Sequence, residues 1–343
     1  MLNIQKRGVA IVLSFLLLFL CSCNSQKIGE KELTSWNGGS GSMKEMITSY
    51  IEEITDESNE NFIPKEDRIA AFDMDGTIIQ ENPISLWYSV TASYIMDCKQ
   101  DDTEIYEKAK GLLEQSQSNQ DSNSMAYSYS ELAPVVFSGM EEDAIADYVA
   151  ELVQTKKQDS LGGRTFVESF YQPMVELIQY LVSKDFEIYV VSGSDRAVIW
   201  GAFEGYNQAN PDNPIPIDRA HMIGTDPEIL LTKTKDTSNL CGFMPDQKLV
   251  RGNKMAETNL DIHKVSRLYH QCGKLPVVVG GNSSGDYALF NMAKSSPHKS
   301  LVLLLAHDDS REVTYGMSKM GESACATFDW KWVSMKKEFR EIY

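Results

Sequence analysis

Residues 68–80 read Arg-Ile-Ala-Ala-Phe-Asp-Met-Asp-Gly-Thr-Ile-Ile-Gln. A short apolar run leads here into two aspartates, Asp73 and Asp75, and a Gly-Thr turn. Residues i and i+2 of a strand share a face, so both carboxylates can point into one site if the strand ends at this position. Two like charges this close favour a bound divalent cation. The alternative is a glycine-centred turn whose aspartates hydrogen-bond their own backbone.

The composition is that of a globular protein with an acidic surface. A chain of 343 residues with 42% hydrophobic residues is long enough for one large or two smaller domains with a packed core. The net charge of -17 disfavours a general nucleic-acid surface, because phosphate backbones are held by clusters of Lys and Arg. A phosphate-handling enzyme is still compatible with this charge, since its positive groups need only converge on one pocket.

The N-terminus has the pattern of a processing signal. Lys6 and Arg7 precede an apolar segment, and Leu20-Cys21-Ser22-Cys23 is typical of a bacterial lipobox. We predict a lipoprotein signal peptide over residues 1–22, lipidation of Cys23 and a flexible tether over residues 23–42. The alternative, a membrane-spanning anchor, needs about 20 apolar residues. The protein is therefore expected outside the cytoplasm, anchored by lipid to a bacterial membrane, in the periplasm or at the cell surface.

The cysteines do not indicate a metal site. Two of the six lie in the signal, and Cys98, Cys241, Cys272 and Cys325 lack metal-ligand spacing. Export would permit a disulfide such as Cys241 with Cys272, although the sequence does not set the pairing. Buried free thiols are the default prediction.

Hydrophobic periodicity indicates a strand-helix alternation with one insertion. Helical patterns precede and follow the first strand, over residues 43–55, 84–96, 104–113 and 140–155, and the Ser-, Gln- and Asn-rich residues 115–130 are predicted to be a mobile loop. Because residues 80–162 interrupt the alternation, we predict that they form a helical cap on a catalytic core made of residues 43–79 and 163–343.

The alternation resumes after the insertion. Helices are predicted over residues 172–183, 195–203, 263–271 and 286–293, and strands over 186–191, 220–224, 275–280, 301–306 and 331–335. Residues 232–254 are polar and predict a hairpin or an excursion. Apolar strands alternating with helices predict an α/β, Rossmann-like parallel sheet with helices on both faces. Sites in such sheets lie beyond the carboxyl ends of the strands.

Four polar segments fall at these strand ends or helix starts. The first contains Asp73 and Asp75. In the second, Ser192-Gly193, a hydroxyl and helix N-terminal amides can hold a phosphate, or Ser192 is an ordinary helix N-cap. The third is a lysine that opens a helix. The fourth, residues 280–286, offers oxygen ligands from Asn282 and Asp286 or forms a plain turn.

Over residues 66–343, the order Asp, Ser, Lys, Asn/Asp resembles the haloacid dehalogenase (HAD) superfamily, in particular its phosphoserine-phosphatase-like branch with a helical cap after the first strand. Residues 164–174 and Trp332-Val-Ser-Met-Lys-Lys337 also resemble bacterial phosphatases of that family. The resemblance implies a HAD fold. It also implies that Asp73 is a nucleophile forming an aspartyl-phosphate and that Asp75 is the general acid and base.

The resemblance further implies a phosphate site and a cation site. Ser192, Gly193 and the lysine would bind the transferring phosphoryl group. Mg²⁺ would be held by the Asp73 carboxylate, the Asp75 backbone carbonyl, Asn282 and Asp286, an oxygen-rich set that suits this ion.

Two lysines compete for the third segment. Lys264 opens a helix 18 residues before Asn282, a spacing similar to that of relatives in which a lysine opens the helix before the last motif strand. Lys254, in a polar Arg-Gly-Asn-Lys run, is the alternative and is compatible with a surface loop. We favour Lys264.

Asn282 departs from the family pattern, which usually has Asp at this position. A neutral amide presents one charge less to the metal. We therefore expect Asp286 to bear more of the electrostatic load, directly or through water, and the affinity for Mg²⁺ to be weaker.

The function implied by the resemblance is Mg²⁺-dependent hydrolysis of a small phosphomonoester. Asp75 favours phosphoryl transfer because dehalogenases lack a carboxylate there. Phosphorylcholine is one candidate, with Trp87, Tyr88 and Tyr94 as a cation-π box unless these aromatics form the core of the cap. Phosphoserine or another small phosphomonoester fits equally well. The rival from another class is a non-catalytic surface lipoprotein that uses the same fold for binding. The sequence does not indicate an oligomeric state.

Overall fold

A computed structural model describes residues 31–99, 101–104, 106–107, 110–111, 132–233, 243–316 and 319–343 of the chain. The sheet consists of seven strands: β1 Ile69–Phe72, β2 Glu187–Asp195, β3 Met222–Leu231, β4 Leu249–Glu257, β5 Val278–Gly281, β6 Leu301–Ala306 and β7 Lys331–Ser334. The α-helices of the described residues include α1 Met43–Thr55, α2 Leu86–Cys98, α3 Glu142–Thr155, α4 Gln172–Ser183, α5 Arg196–Ala209, α6 Ile262–Cys272, α7 Tyr287–Lys294, α8 Lys319–Phe328 and α9 Met335–Glu338.

The sheet has the order β4-β3-β2-β1-β5-β6-β7, with β1 at its centre. Ala70 and Phe72 of β1 pack into one hydrophobic core, while Ile69 and Ala71 pack into a second one on the opposite face. The alternation of side chains along a strand explains why an all-apolar strand needs helices on both faces. The predicted α/β class, with a Rossmann-like parallel sheet covered on both faces, is confirmed.

One edge of the sheet departs from parallel pairing. β4 runs antiparallel to β3, and the two strands form a hairpin in the polar region where a hairpin or an excursion was predicted. β3 also extends from Met222 to Leu231, beyond the predicted residues 220–224. The side chains at the end of β3 and the start of β4 are exposed, so the hairpin lacks the alternation of buried and exposed residues by which a strand is predicted.

The second strand is longer than predicted. β2 continues through Ser192, Gly193 and Ser194 to Asp195, instead of ending at residue 191. The side chain of Asp195 accepts a hydrogen bond from the Ala197 amide and caps α5, which begins at Arg196. The interpretation of Ser192 as a helix N-cap is therefore wrong, because a better capping residue three positions later ends the strand.

The inserted region packs closely on the core. Helix α3 lies along α5, where a Cβ on Gly201 would stand 2.4 Å from the Ala146 carbonyl oxygen and one on Gly205 would stand 2.3 Å from Val153 Cγ2. Side chains of α3 belong to the same hydrophobic cluster as those of β1. The division into a cap of residues 80–162 and a core remains a prediction.

Several predicted features lie outside the described residues. They are the signal peptide, Cys23, Cys241, the loop over residues 115–130 and part of the helix over residues 104–113. Within the part of the chain that the structure describes, every helix is too short or too polar to span a bilayer.

The segment before α1 packs on the core. The Trp36 side chain is 2% exposed, and its Nε1 donates to the Pro173 carbonyl at 2.8 Å. Its ring also meets Phe339 edge-on. The predicted flexible tether does not extend to residue 42. Leu33 and Trp36 bury apolar surface on the core that a free tether would expose to water.

The described cysteines are free thiols. Cys325 is buried, Cys272 is half-buried and donates to the Lys274 carbonyl, and Cys98 is exposed. The default of buried free thiols is therefore right for Cys325 and wrong for Cys98.

We predict that Gly201→Val destabilises the protein by about 3 kcal/mol, because a side chain there must displace the backbone of α3 from α5. Urea unfolding at equilibrium measures the change. Gly38→Val is the matched control, since a Cβ at Gly38 meets no atom nearer than 4.0 Å. Equal stability of the two variants would contradict the close packing of the two helices.

Candidate active site

The predicted site residues meet at the carboxyl edge of the sheet. β1 pairs in parallel with both β2 and β5, so Asp73 and Asn282, which directly follow β1 and β5, meet Ser192 near the end of β2 at the same edge. The Asp73 amide donates to the Gly280 carbonyl at 3.0 Å and continues the ladder by one residue. Parallel pairing alone thus brings together three segments that are far apart in the chain.

Lys264 lies between two carboxylates. Its Nζ is 2.8 Å from Asp73 Oδ1 and 2.7 Å from Asp286 Oδ1, and all three side chains are buried. Burial alone would lower the pKa of Lys264, but the negative charges of Asp286 and Asp73 outweigh it and raise this pKa. Lys254, the alternative, lies exposed on β4. The structure therefore brings Lys264 to the two aspartates and leaves Lys254 at the surface.

The buried surroundings of Asp73 destabilise its ionised form. Burial raises the pKa of this carboxyl well above its usual range, Lys264 opposes that change, and Asp286 adds to it. A positive charge in the same place, from Lys264 or a bound cation, favours the ionised form that a nucleophile requires.

Asp75 has one engaged oxygen and one without a partner. Its Oδ2 accepts hydrogen bonds from Ser194 Oγ at 2.6 Å and from Ser192 Oγ at 3.3 Å. Its Oδ1 is buried and has no hydrogen-bond partner among the described residues. Burial raises the pKa of Asp75, while the two serines and the Leu86 amide at the start of α2 lower it. A carboxyl with a raised pKa and an unengaged oxygen is suited to give and take a proton.

Ser194 is a site residue that the sequence analysis missed. Its amide donates to Ser192 Oγ at 3.0 Å, and its own hydroxyl makes the shorter contact with Asp75. The two-residue period of a strand places Ser192 and Ser194 on one face and would have revealed the pair if β2 had been predicted at its full length. Between them, a Cβ on Gly193 would lie 2.6 Å from Leu260 Cδ2, so a side chain there would displace the exposed side chain of Leu260.

Asn282 and Asp286 occupy the opposite side of the site. Asp286 Oδ2 accepts from the backbone amides of Asn282 and Ser283 at 3.1 Å each, which fixes the loop after β5. Asn282 Oδ1 accepts from the Thr77 hydroxyl at 3.3 Å. Its Nδ2 lies 3.2 Å from Glu81 Oε2.

Glu81 and His307 are the other two groups that the sequence analysis missed. Loss of water, followed by the nearby charge of Asp75, raises the pKa of Glu81 to about 7. His307 Nε2 lies 2.9 Å from the Gly76 carbonyl oxygen, and its Nδ1 lies 3.0 Å from both oxygens of Glu312. Burial lowers the pKa of His307, but Glu312 outweighs it and raises this pKa. Neither residue belongs to a local sequence pattern.

The donors at this edge fit Mg²⁺. The ammonium of Lys264 contacts the carboxylates of Asp73 and Asp286, and the carboxyls of Asp73, Asp75 and Glu81 have raised pKa values that a divalent cation would offset. Among the described residues, no group of three His, Cys, Asp or Glu side chains is arranged to hold a metal ion. The predicted set is of another kind, because it combines two carboxylates with the Asn282 amide oxygen and the Asp75 backbone carbonyl.

The proposed aromatic box is not assembled. Tyr94 packs against Phe137 and Tyr148, with ring centroids 5.0 and 5.1 Å away, and so belongs to the packing of the inserted helices. The ring of Trp87 is buried and stacks on its neighbour Tyr88. Burial, followed by the nearby charges of Asp75 and Glu81, raises the pKa of Tyr88.

No protein-family model and no curated protein sequence matches the chain. Among solved structures, a protein of unknown function from Bordetella pertussis Tohama I is 12% identical, with a TM-score of 0.47 over 78% of this chain and 99% of that one. Cytosolic 5'-nucleotidase IIIB bound to cytidine is 11% identical, with a TM-score of 0.43 over 78% and 79%. A phosphoserine phosphohydrolase-like protein from Francisella tularensis subsp. tularensis SCHU S4 is 13% identical, with a TM-score of 0.35 over 75% and 98%. Because these TM-scores lie below 0.5, the function has to be argued from the chain's own site.

We predict that Lys264→Ala lowers the free energy of unfolding by about 3 kcal/mol at neutral pH, because it leaves Asp73 and Asp286 buried without their cation. Urea unfolding in a chelator measures this change. Lys254→Ala is the matched control and should stay near the wild-type value. Equal effects of the two substitutions would contradict the ion cluster.

Glu81 should make the metal-free protein less stable as the pH rises. Its pKa is higher in the folded protein, about 7, than the ordinary value of 4.5, so the folded state binds the proton more tightly. This contribution is fully present below pH 4.5 and is lost as the pH rises through about 7. At pH 8, Glu81→Gln should therefore be more stable than the wild type by about 3 kcal/mol.

Unfolding in a chelator at pH values between 4.5 and 8 tests this prediction. The exposed Glu60→Gln serves as the control and should follow the wild-type profile. An unchanged pH profile for Glu81→Gln would show that its carboxyl is better solvated than the structure indicates.

Proposed function

We propose that the protein is a HAD-type phosphatase that hydrolyses a small phosphomonoester through an aspartyl-phosphate on Asp73. The observation that carries the proposal is the arrangement of Asp73, Lys264 and Asp286 beside an Asp75 whose Oδ1 has no hydrogen-bond partner among the described residues. This arrangement supports the proposal that a nucleophile, a cation and a proton donor act together at one edge of the sheet.

Asp73 is the proposed nucleophile. Lys264 holds its Oδ1, so Oδ2 is the oxygen that we assign to the attack on phosphorus. A bond forms between Oδ2 and phosphorus while the bond from phosphorus to the ester oxygen breaks, and the phosphoryl group is transferred to the carboxylate. Lys264 also offsets the negative charge that develops on the phosphoryl oxygens.

Asp75 is the proposed acid and base. Its raised pKa favours the protonated form, and its proton passes from Oδ1 to the leaving ester oxygen. The resulting carboxylate then removes a proton from water, which attacks phosphorus and releases phosphate and the free Asp73 carboxylate. Ser192 and Ser194 hold the other oxygen and fix the direction of Oδ1.

The phosphate group is proposed to lie against Ser192, Gly193 and Lys264. The Ser192 hydroxyl is already within 3.3 Å of Asp75 Oδ2, so it borders the space next to the acid. Asp73, the Asp75 backbone carbonyl, Asn282 and Asp286 are the proposed ligands of Mg²⁺, which when bound would stabilise negative charge on the phosphoryl oxygens.

The inserted region contributes to the same site. The Leu86 amide at the start of α2 lowers the pKa of Asp75, and Tyr88 is near enough to Asp75 and Glu81 for their charges to raise its own pKa. A site covered in this way is suited to a small substrate shielded from water. Because Tyr94 packs elsewhere, the structure gives phosphorylcholine no advantage over other small phosphomonoesters. We further propose that the enzyme acts outside the cytoplasm, held to the membrane by a lipid on Cys23.

The experiment that tests the function is a panel of phosphomonoesters, including phosphoserine, phosphorylcholine and an aryl phosphate, assayed on the full-length chain with and without Mg²⁺. We expect hydrolysis that requires Mg²⁺ and a loss of about 10³-fold or more in kcat for Asp73→Asn, since the nucleophile is removed. Asp212→Asn, an exposed carboxylate away from the site, should retain full turnover.

A wild-type protein that cleaves none of these esters would favour the rival, a non-catalytic binding protein with this fold. Turnover that survives in Asp73→Asn would remove the aspartyl-phosphate route.

A further inference from the structure

The side chains of Glu81 and Asn282 meet beside the site, and no motif predicts Glu81. We propose that Glu81 is a positioning residue for the cation site: it holds the Asn282 amide with the oxygen turned toward the site and adds the negative charge that an asparagine lacks. The inference deepens the proposed function and uses its Mg²⁺ site.

The orientation of the amide follows from its hydrogen-bonding neighbours. Asn282 Nδ2 lies 3.2 Å from Glu81 Oε2 and 3.4 Å from His307 Nε2. The histidine nitrogen is also 2.9 Å from the Gly76 carbonyl oxygen, which can only accept, so it carries a proton and cannot accept from the amide. Among the described residues, this leaves Glu81 as the acceptor for Nδ2.

The amide oxygen consequently faces the other way. Asn282 Oδ1 accepts from the Thr77 hydroxyl at 3.3 Å, next to the loop that carries Asp75. If Glu81 were absent, Nδ2 would lose its acceptor, and the Thr77 hydroxyl, which can donate or accept, would be left to orient the amide. Partners behind a metal ligand commonly fix its orientation in this way, and their loss weakens metal binding about 10–100-fold.

Gly76 makes the contact sterically possible. Its φ is +75°, and a Cβ at this position would lie 2.0 Å from Asn282 Nδ2 and 2.9 Å from Glu81 Oε2. Any side chain there would push into the pair. The Asp-Gly-Thr turn therefore leaves a gap that Glu81 and Asn282 fill together.

The negative charge of Glu81 has fewer compensating neighbours than the charges of the two proposed carboxylate ligands. Asp73 and Asp286 both share the ammonium of Lys264, and Asp286 also accepts two backbone amides. The direct contact of Glu81 is with a neutral amide. Its charge is thus less compensated, and at this distance in a poorly solvated site it would attract a cation more strongly than an exposed carboxylate.

A double-mutant cycle on Mg²⁺ affinity tests the inference. Isothermal titration of the full-length chain with Mg²⁺, without substrate, gives the Kd for the wild type, Glu81→Gln, Asn282→Asp and the double variant. We expect Glu81→Gln to weaken binding about 10–100-fold. In that background, Asn282→Asp should restore the affinity to within about threefold of the wild type, because the carboxylate returns at the neighbouring position.

Two measurements separate this role from a structural one. Glu60→Gln, an exposed carboxylate, should leave the Kd unchanged. Thermal unfolding in a chelator should show that Glu81→Gln is no less stable than the wild type. Because Asn282→Asp alone leaves Glu81 in place, it should change the Kd by a different factor in the two backgrounds.

The inference is overturned if Glu81→Gln binds Mg²⁺ as tightly as the wild type, if the double variant stays as weak as the single one, or if the wild type binds no Mg²⁺. Absence of phosphatase activity with the expected Mg²⁺ cycle intact would instead remove the proposed function and leave the role of Glu81 standing.

Discussion

The ammonium of Lys264 between Asp73 and Asp286 is the contact on which the site depends. Taking three charges out of water costs several kcal/mol for each ion, and only their mutual attraction at short distance offsets that cost. The cluster joins the end of β1, the start of α6 and the loop after β5. Because an isolated member would be a buried unpaired charge, these three elements must come together for any of them to be stable in place.

A second buried cation links the inserted region to the same edge. Arg251 of β4 contacts Asp195 and Glu142 at 2.6 Å, and its side chain is fully buried. Burial would lower its pKa, but Asp195 and Glu142 outweigh this and raise it. Asp195 caps α5 directly after Ser194, and Glu142 opens α3. The antiparallel hairpin at the sheet edge therefore fixes both the strand that carries the serines and the helix that packs over α5.

The charges of the site explain why its chemistry and its stability oppose each other. Burial raises the pKa values of Asp73, Asp75 and Glu81, so the folded, metal-free protein favours the protonated forms of these groups. A nucleophile needs the ionised form, whereas a general acid needs the protonated one. One ammonium at Asp73 and two hydroxyls at Asp75 give the two carboxyls different surroundings that suit the two proposed roles, although the residues are only two positions apart.

The sequence by itself determined the elements and the residues that local patterns specify. The strand-helix alternation gave the α/β sheet, and the ends of its strands gave Asp73, Asp75, Asn282 and Asp286, because parallel strands end at one edge. Tertiary structure alone decided the rest. Ser194, Glu81 and His307 reach the site through the length of β2, the turn at Gly76 and a contact across the sheet, and Trp36 packs on Phe339 more than 300 residues away. Ser194 shares the two-residue period of β2 with Ser192, but the length of that strand was missed. The contacts of Glu81, His307 and Trp36 join residues that share no periodicity, so no local pattern encodes them.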